Sequence, residues 1–275
     1  MSMIGISHLT RDFGGGKGVF DLSLEIEKGE AFGFLGPNGA GKTTTIRHLM
    51  GFIRAQGGTC SIGGRDCWKD ADTIQKTLGY IPGEIAFFEE MSGNAYLAFL
   101  RSYRGMKDEG RTSELLERFE LQAGVRIKKM SKGMKQKLGI VAAFMHDPDT
   151  LILDEPTSGL DPLMQNRFVE LVREEKARGK TILLSSHMFE EVERTCDRIG
   201  MIRGGRLAAL DSAQALRARH VKTYVVTLAS EQEARAFAED FGGRWPLEDA
   251  RQVEVTARQS LEEIFMHYYG GGPSC

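Results

Sequence analysis

The residues Gly36-Pro37-Asn38-Gly39-Ala40-Gly41-Lys42-Thr43 fit the pattern G-x-x-x-x-G-K-[ST]. Glycines at these positions let backbone N–H groups turn inward around phosphate oxygens, and a following helix N-terminus adds partial positive charge. Lys42 is placed to reach β- and γ-phosphates, and the Thr43 hydroxyl, with Thr44 beside it, to ligate Mg2+. Alone, such a loop establishes only that a nucleotide binds, because kinases, GTPases and ATPases share it.

A second set lies far downstream. Leu151-Ile152-Leu153-Asp154-Glu155 is an apolar run ending in two carboxylates. A buried strand there would deliver Asp154 toward the Mg2+ held by Thr43, through a water. Glu155 would then face the space from which a water attacks the γ-phosphate, the position of a general base. Ser131-Lys132-Gly133-Met134-Lys135-Gln136 precedes the acidic pair, Ser158-Gly159-Leu160-Asp161 follows it, and His187 ends a later apolar run.

The elements that must position these residues show in the hydrophobic pattern. Ile4–Leu9 and Leu22–Ile26 alternate as short strands broken by Gly14-Gly15-Gly16, and Ala31–Leu35 is a buried strand running into the phosphate loop. A helix over Thr44–Phe52 follows that loop. Leu78–Ile81, Leu151–Leu153, Thr181–Ser185 and Ile199–Ile202 read as further strands interleaved with helices. That alternation predicts a mainly parallel α/β sheet covered by helices. The stretch from about Phe87 to Met145 is mostly helical. Its last helix carries Ser131 as N-cap and a stripe of Met134, Leu138, Val141, Ala142 and Met145, and stops at Asp147-Pro148. After about Ala215 the pattern restarts. Tyr224, Val226 and Leu228 alternate, Ala234, Phe237, Ala238 and Phe241 share a helical face, and Val253 and Val255 mark a strand. Ser260 and Glu263 form a capping box for a last helix.

In this order the motifs resemble those of the nucleotide-binding subunits of ABC transporters, over roughly residues 3–210. The resemblance implies a P-loop NTPase fold: an ABC cassette over 1–215 with a RecA-like core and a helical subdomain at about 86–146. A small α+β accessory domain over 216–269 and a disordered tail over 270–275 would complete the chain. It implies ATP and Mg2+ as cofactors and a head-to-tail dimer, homomeric or with a paralogue, closing on two ATP molecules. Ser131 and Gly133 of one protomer would cap the γ-phosphate bound by Lys42 of the other. His187 resembles the switch histidine that contacts the γ-phosphate, Asp161 the residue joining the two sites across the interface, and Phe13 the aromatic that stacks on adenine. Glu155, His187 and Lys42 would be the catalytic set. The Ser131-Lys132-Gly133-Met134 variant is similar to that of single-cassette subunits in the ABC-2 export group, including drug and bacteriocin-resistance pumps, so export through a separately encoded integral-membrane permease is expected. A permease loop would dock around Gly83–Phe99.

Composition narrows the partners. Thirty-six Lys and Arg against 38 Asp and Glu leave a net charge of -2, which argues against sequence-blind nucleic-acid binding. Cys60, Cys67, Cys196 and Cys275 are scattered without a His cluster, as in a reducing compartment. No run approaches the ~20 apolar residues of a membrane span, and the N-terminus lacks signal-peptide character. The expectation is a cytoplasmic protein, peripheral on the inner face of the cell membrane. The alternative, a soluble ABC ATPase acting on ribosomes or DNA, or a nucleotide-dependent regulator, is less favoured. The former usually has two cassettes in one chain or a long coiled-coil insertion, and an intact Glu155 argues against the latter. One position departs from the family: Gly83 stands where a Mg2+- and permease-contacting glutamine is common. Glu84 or a water would replace that side chain. Changing Glu84 to Ala should therefore lower transport-coupled ATPase activity, and unaltered coupling in reconstituted vesicles would refute the substitution.

Overall fold

The computed structural model describes residues 2–215 and 222–257. The chain divides into two compact units, Met1–Ala213 and Gln214–Cys275.

Within the first unit, β1 (Ser2–Asp12) and β2 (Gly18–Glu27) pair antiparallel. From Asp21 onward, Leu22, Leu24 and Ile26 are buried while Asp21, Ser23, Glu25 and Glu27 face outward, a period of two that suits a sheet with one wet face. β4 (Gly57–Ile62) pairs with β1, and β5 (Arg65–Asp66) completes a four-stranded sheet of order β2-β1-β4-β5. Thus the two N-terminal strand patterns belong to an antiparallel sheet of their own, distinct from the parallel one. The Gly-rich β4 and two-residue β5 carry too little periodicity to announce themselves.

The second sheet has the order β10-β9-β3-β8-β7-β6. Its strands are β3 (Ala31–Leu35), β6 (Leu78–Ile81), β7 (Thr150–Asp154), β8 (Thr181–Ser186), β9 (Arg198–Arg203) and β10 (Arg206–Ser212). All neighbours are parallel except the β9–β10 hairpin. β7 and β8 are buried along their whole length, as a strand covered on both faces must be. The register aligns the strand ends: Leu35 lies opposite Ser186, and Asp154 opposite Ser185. The carboxyl edge of a parallel sheet is where ligands gather in open α/β folds.

The helices are α1 (Lys42–Leu49), α2 (Ala71–Thr77), α3 (Gly93–Tyr103), α4 (Gly110–Arg118), α5 (Lys132–Phe144), α6 (Pro162–Ala177) and α7 (Phe189–Thr195). α1 starts at Lys42, two residues before the sequence pattern, because the glycine loop itself ends at Gly41 and the phosphate-binding residues form the first turn. α5 starts where its cap predicts, with Ser131 Oγ accepting the Met134 N–H at 3.2 Å. Leu138, Val141 and Met145 are fully buried, joined by Ile140 and Phe144, so the buried face is wider than the stripe.

In the second unit β11 (Lys222–Thr227) and β12 (Gln252–Ala257) pair antiparallel, and α8 (Glu231–Phe241) packs on them. Leu228, Ala234, Phe237, Ala238, Val253 and Val255 form its core, with Tyr224, Val226 and Phe241 partly buried against it. The expected last helix with its Ser260–Glu263 box, and the 270–275 tail, lie outside the described residues.

α4 and α6 are joined by charge. Glu175 of α6 is only 2% exposed and pairs with Arg111 of α4, with Arg178 at 3.0 Å and with Lys180 at 3.1 Å. Lys180, itself buried, also pairs with Asp147. Removing one member of a buried ionic cluster leaves the others desolvated and uncompensated. Glu175→Ala should therefore cost about 3–5 kcal/mol of stability, read from the urea midpoint; a loss below about 1 kcal/mol, the scale of exposed pairs, would show that water already screens the cluster.

Candidate functional site

The phosphate loop leaves the end of β3 and is shaped by its glycines. Gly41 adopts φ +112°, and a Cβ there would lie 3.2 Å from the Gly18 carbonyl oxygen and 3.3 Å from the Val19 side chain. A Cβ on Gly36 would meet the Ile202 carbonyl oxygen at 2.5 Å. Only glycine permits this turn at this depth. Pro37, Asn38 and Gly39 are exposed at the rim, whereas Ala40 is buried and its N–H reaches the Pro37 carbonyl at 3.1 Å. Gly36 N–H donates to the Ser186 carbonyl at 3.2 Å, tying the loop to the end of β8.

Lys42, 5% exposed, turns its ammonium back into the loop, donating to the Gly36 carbonyl at 2.5 Å and the Pro37 carbonyl at 3.3 Å. The same Nζ lies 3.1 Å from Glu155 Oε1. Thr43 and Thr44 follow half-buried in the first turn of α1.

Asp154 and Glu155 come from the end of β7. Asp154 is fully buried; Oδ1 accepts a short hydrogen bond from Ser185 Oγ, while Oδ2 has no hydrogen-bond partner among the described residues. Glu155 sits at φ +48°, which takes the chain out of the strand and turns the carboxylate toward Lys42. His187, about half exposed, places Nδ1 2.6 Å from Glu155 Oε2. Lys42, Glu155 and His187 therefore form one continuous polar chain along the sheet edge. Gly83 also reaches this edge: a Cβ there would lie 3.0 Å from Asp154 Oδ2, so the backbone itself stands where a longer side chain would crowd the carboxylate. Glu84 is exposed.

Phe13 is 52% exposed at the β1–β2 turn, with the Arg11 guanidinium 5.2 Å from its ring centroid. That leaves an aromatic face free for a planar ligand. Ser131, Gly133 and Asp161 form a different group. The α5 N-terminus packs on the loop after Glu155, a Cβ at Gly133 lying 2.9 Å from the Gly159 carbonyl oxygen and Gln136 Nε2 donating to the Pro156 carbonyl at 2.6 Å. Asp161 caps α6, its Oδ1 accepting the Met164 N–H at 3.0 Å. Among the described residues no hydrogen bond or ion pair joins this group to Lys42. The sequence reading missed Ser185 and Ser186, although a polar pair ending an otherwise apolar strand was the available signal.

A glycine loop that opens a helix N-terminus, one buried ammonium, and a carboxylate beside an imidazole can hold a polyphosphate and accept a proton from a water next to it. A family model described as "ABC transporter" matches residues 19–158. The linearmycin resistance ATP-binding protein LnrL of Bacillus subtilis (strain 168) is 37% identical over 76% of this chain and 68% of its own length. The bacitracin transport ATP-binding protein BcrA of Bacillus licheniformis is 35% identical over 85% of this chain and 77% of its own. A solved ATP-binding subunit of an ABC transporter superposes with a TM-score of 0.71 at 32% identity, covering 79% of this chain and 93% of that one. A dimeric cassette in a post-hydrolysis state with ADP and Pi shares the fold, with a TM-score of 0.68 at 19% identity over 77% of this chain and 99% of that one.

The Ser185 hydroxyl is a hydrogen-bond donor to a fully buried carboxylate. Ser185→Ala should destabilise the nucleotide-free protein by about 1–3 kcal/mol; chemical denaturation that leaves the midpoint unmoved would show that Asp154 is satisfied without it.

Proposed function

The chain belongs to the ABC transporter family as an ATP-binding, ATP-hydrolysing subunit, and on that premise we propose that it is the motor of an exporter whose membrane-spanning permease is a separate chain. The observation that carries the catalytic part is the Lys42–Glu155–His187 contact chain at the mouth of the phosphate loop. The relatives named for linearmycin resistance and bacitracin transport support a role in transport.

The residues divide the work. Backbone N–H groups of Asn38, Gly39 and Gly41 to Thr44 cradle the phosphates, Lys42 leaves Glu155 to neutralise the β- and γ-oxygens, and Phe13 carries the adenine. Freed of its lysine, Glu155 accepts a proton from the attacking water, and His187 steadies the γ-phosphate end. Thr43 and Asp154 would hold Mg2+. The oxygen donors and the partnerless, buried Asp154 Oδ2 suit that hard cation, which when bound withdraws charge from the phosphate oxygens. Ser131 and Gly133 face the γ-phosphate of a second cassette. As a cap Ser131 uses only an oxygen lone pair, leaving its O–H free to donate to an anion. Asp161 lies at the same interface. ATP then binds the closed dimer better than the open one, and hydrolysis removes that difference, which is what drives a two-state cycle.

Permease docking around Gly83–Phe99 is supported by Phe88 and Phe99, exposed on that stretch, with Phe99 stacked on the exposed Tyr103. A cleft of about 780 Å³ that Tyr96 shares with Phe52, Tyr80, Leu100, Tyr103 and Arg104 borders it.

The test is a pull-down of tagged Glu155→Gln protein from detergent-solubilised native membranes with ATP present. This variant should hydrolyse ATP at least about a hundredfold more slowly and bring down a multi-span membrane protein in stoichiometric amount. Recovery of ribosomes, or of no partner, would overturn the transporter reading.

A further inference from the structure

Glu191 of α7 is buried, 6% exposed, and the hydrolytic chemistry does not use it. Its Oε2 accepts the Ser186 hydroxyl at 2.5 Å. Ser186 immediately precedes His187. Ser186 is a junction in its own right, since its carbonyl holds Gly36 N–H at 3.2 Å and its hydroxyl accepts Met188 N–H at 3.0 Å. Glu191 therefore grips the end of β8 that carries His187.

The sheet ties down the Glu155 side of the His187–Glu155 contact, with Glu155 N–H donating to the Ser185 carbonyl at 3.1 Å, but not the His187 side. The β7–β8 ladder ends at the pair Asp154–Ser185, one residue short of Glu155 and two short of His187. Beyond that pair Glu155 turns away at φ +48° and His187 stands half exposed. The position of His187 then rests on what holds the turn that begins at Ser186. Resting on the hydrolytic reading above, we propose that Glu191 is a positioning residue for ATP hydrolysis, a buried anchor that grips Ser186 and so holds His187 at working distance from Glu155.

Burial, aided by the charge of nearby Glu155, pushes the Glu191 carboxyl above the usual carboxylate range. Its second oxygen, Oε1, has no hydrogen-bond partner among the described residues and is where a proton would sit. A neutral amide of the same shape is accordingly a close stand-in, which makes glutamine the rescue variant.

The experiment is steady-state ATP hydrolysis by the purified full-length chain, with Glu191→Ala, Glu191→Gln and Glu155→Gln prepared alongside. A brace that sets geometry in the transition state acts on kcat, so Glu191→Ala should lower kcat about ten- to hundredfold and shift KM for ATP less than about twofold. Glu191→Gln should return kcat to within about threefold of the parent, because it keeps the acceptor for the Ser186 hydroxyl. If Glu191→Ala fails to fold, Ser186→Ala removes the same hydrogen bond and carries the same kcat-selective expectation. An unchanged kcat in the Ala variant, an equal loss in KM, or a folded Gln variant as slow as Ala would overturn the brace. Full turnover in Glu155→Gln would instead overturn the hydrolytic reading itself. A slow Glu155→Gln beside an unaffected Glu191→Ala removes the brace alone.

Discussion

One buried ammonium organises the hydrolytic edge. Lys42 is almost wholly removed from water, and its charge is balanced by two loop carbonyls and by Glu155. A desolvated lysine without such partners would cost several kcal/mol, so its neighbours must be delivered together. They come from different strands. The loop follows β3 and Glu155 follows β7, with β8 lying between them in the sheet. The ammonium therefore reaches across the end of β8, and Ser186 at that end is tied back to Gly36. The loop's own carbonyls and Glu155 occupy the ammonium's charge. On the function proposed above, nucleotide binding is an exchange of partners rather than the neutralisation of a bare cation, and it releases the carboxylate as the substrate arrives.

Much of this edge was legible because its chemistry is local in sequence. The glycine loop, the apolar strand ending in Asp154-Glu155 and the Ser131 cap each declare themselves within a few residues, and the structure builds an element at each. The parallel sheet could be read from fully apolar strands such as Thr150–Asp154 and Thr181–Ser186. The separate N-terminal sheet could not, because period-two alternation in Ile4–Leu9 does not say which sheet a strand joins. β5 is shorter than any pattern. The contacts that link the motifs were equally hidden. Ser185 beneath Asp154 and Ser186 beneath Gly36 are common polar residues whose meaning depends on register.

The departure at Gly83 has a steric reading in the structure. With a Cβ position only 3.0 Å from Asp154 Oδ2, the residue brings backbone rather than side chain to the carboxylate. The lysine in Ser131-Lys132-Gly133 has a comparable accommodation. Its aliphatic stem lies against Gly159, where any Cβ would meet it at 3.1 Å. In both places a glycine on one segment makes room for a neighbour on another, so each departure is built into a local fit rather than left as a gap in a motif.

The position of β3 bears on how the molecule is made. Ala31 pairs with Ile182 on one side, and Phe32 with Arg198 on the other, so the strand that launches the phosphate loop finds neither neighbour until most of the cassette has been synthesised. Such long-range pairing closes slowly. Throughout elongation a strand bearing Phe32 and Phe34 has two open edges, the form most prone to pair with a wrong chain. A ribosome that stalls before Thr181 releases a fragment with an intact nucleotide motif and no sheet to present it. The fate of such fragments is then decided by chaperones and proteases, not by ATP.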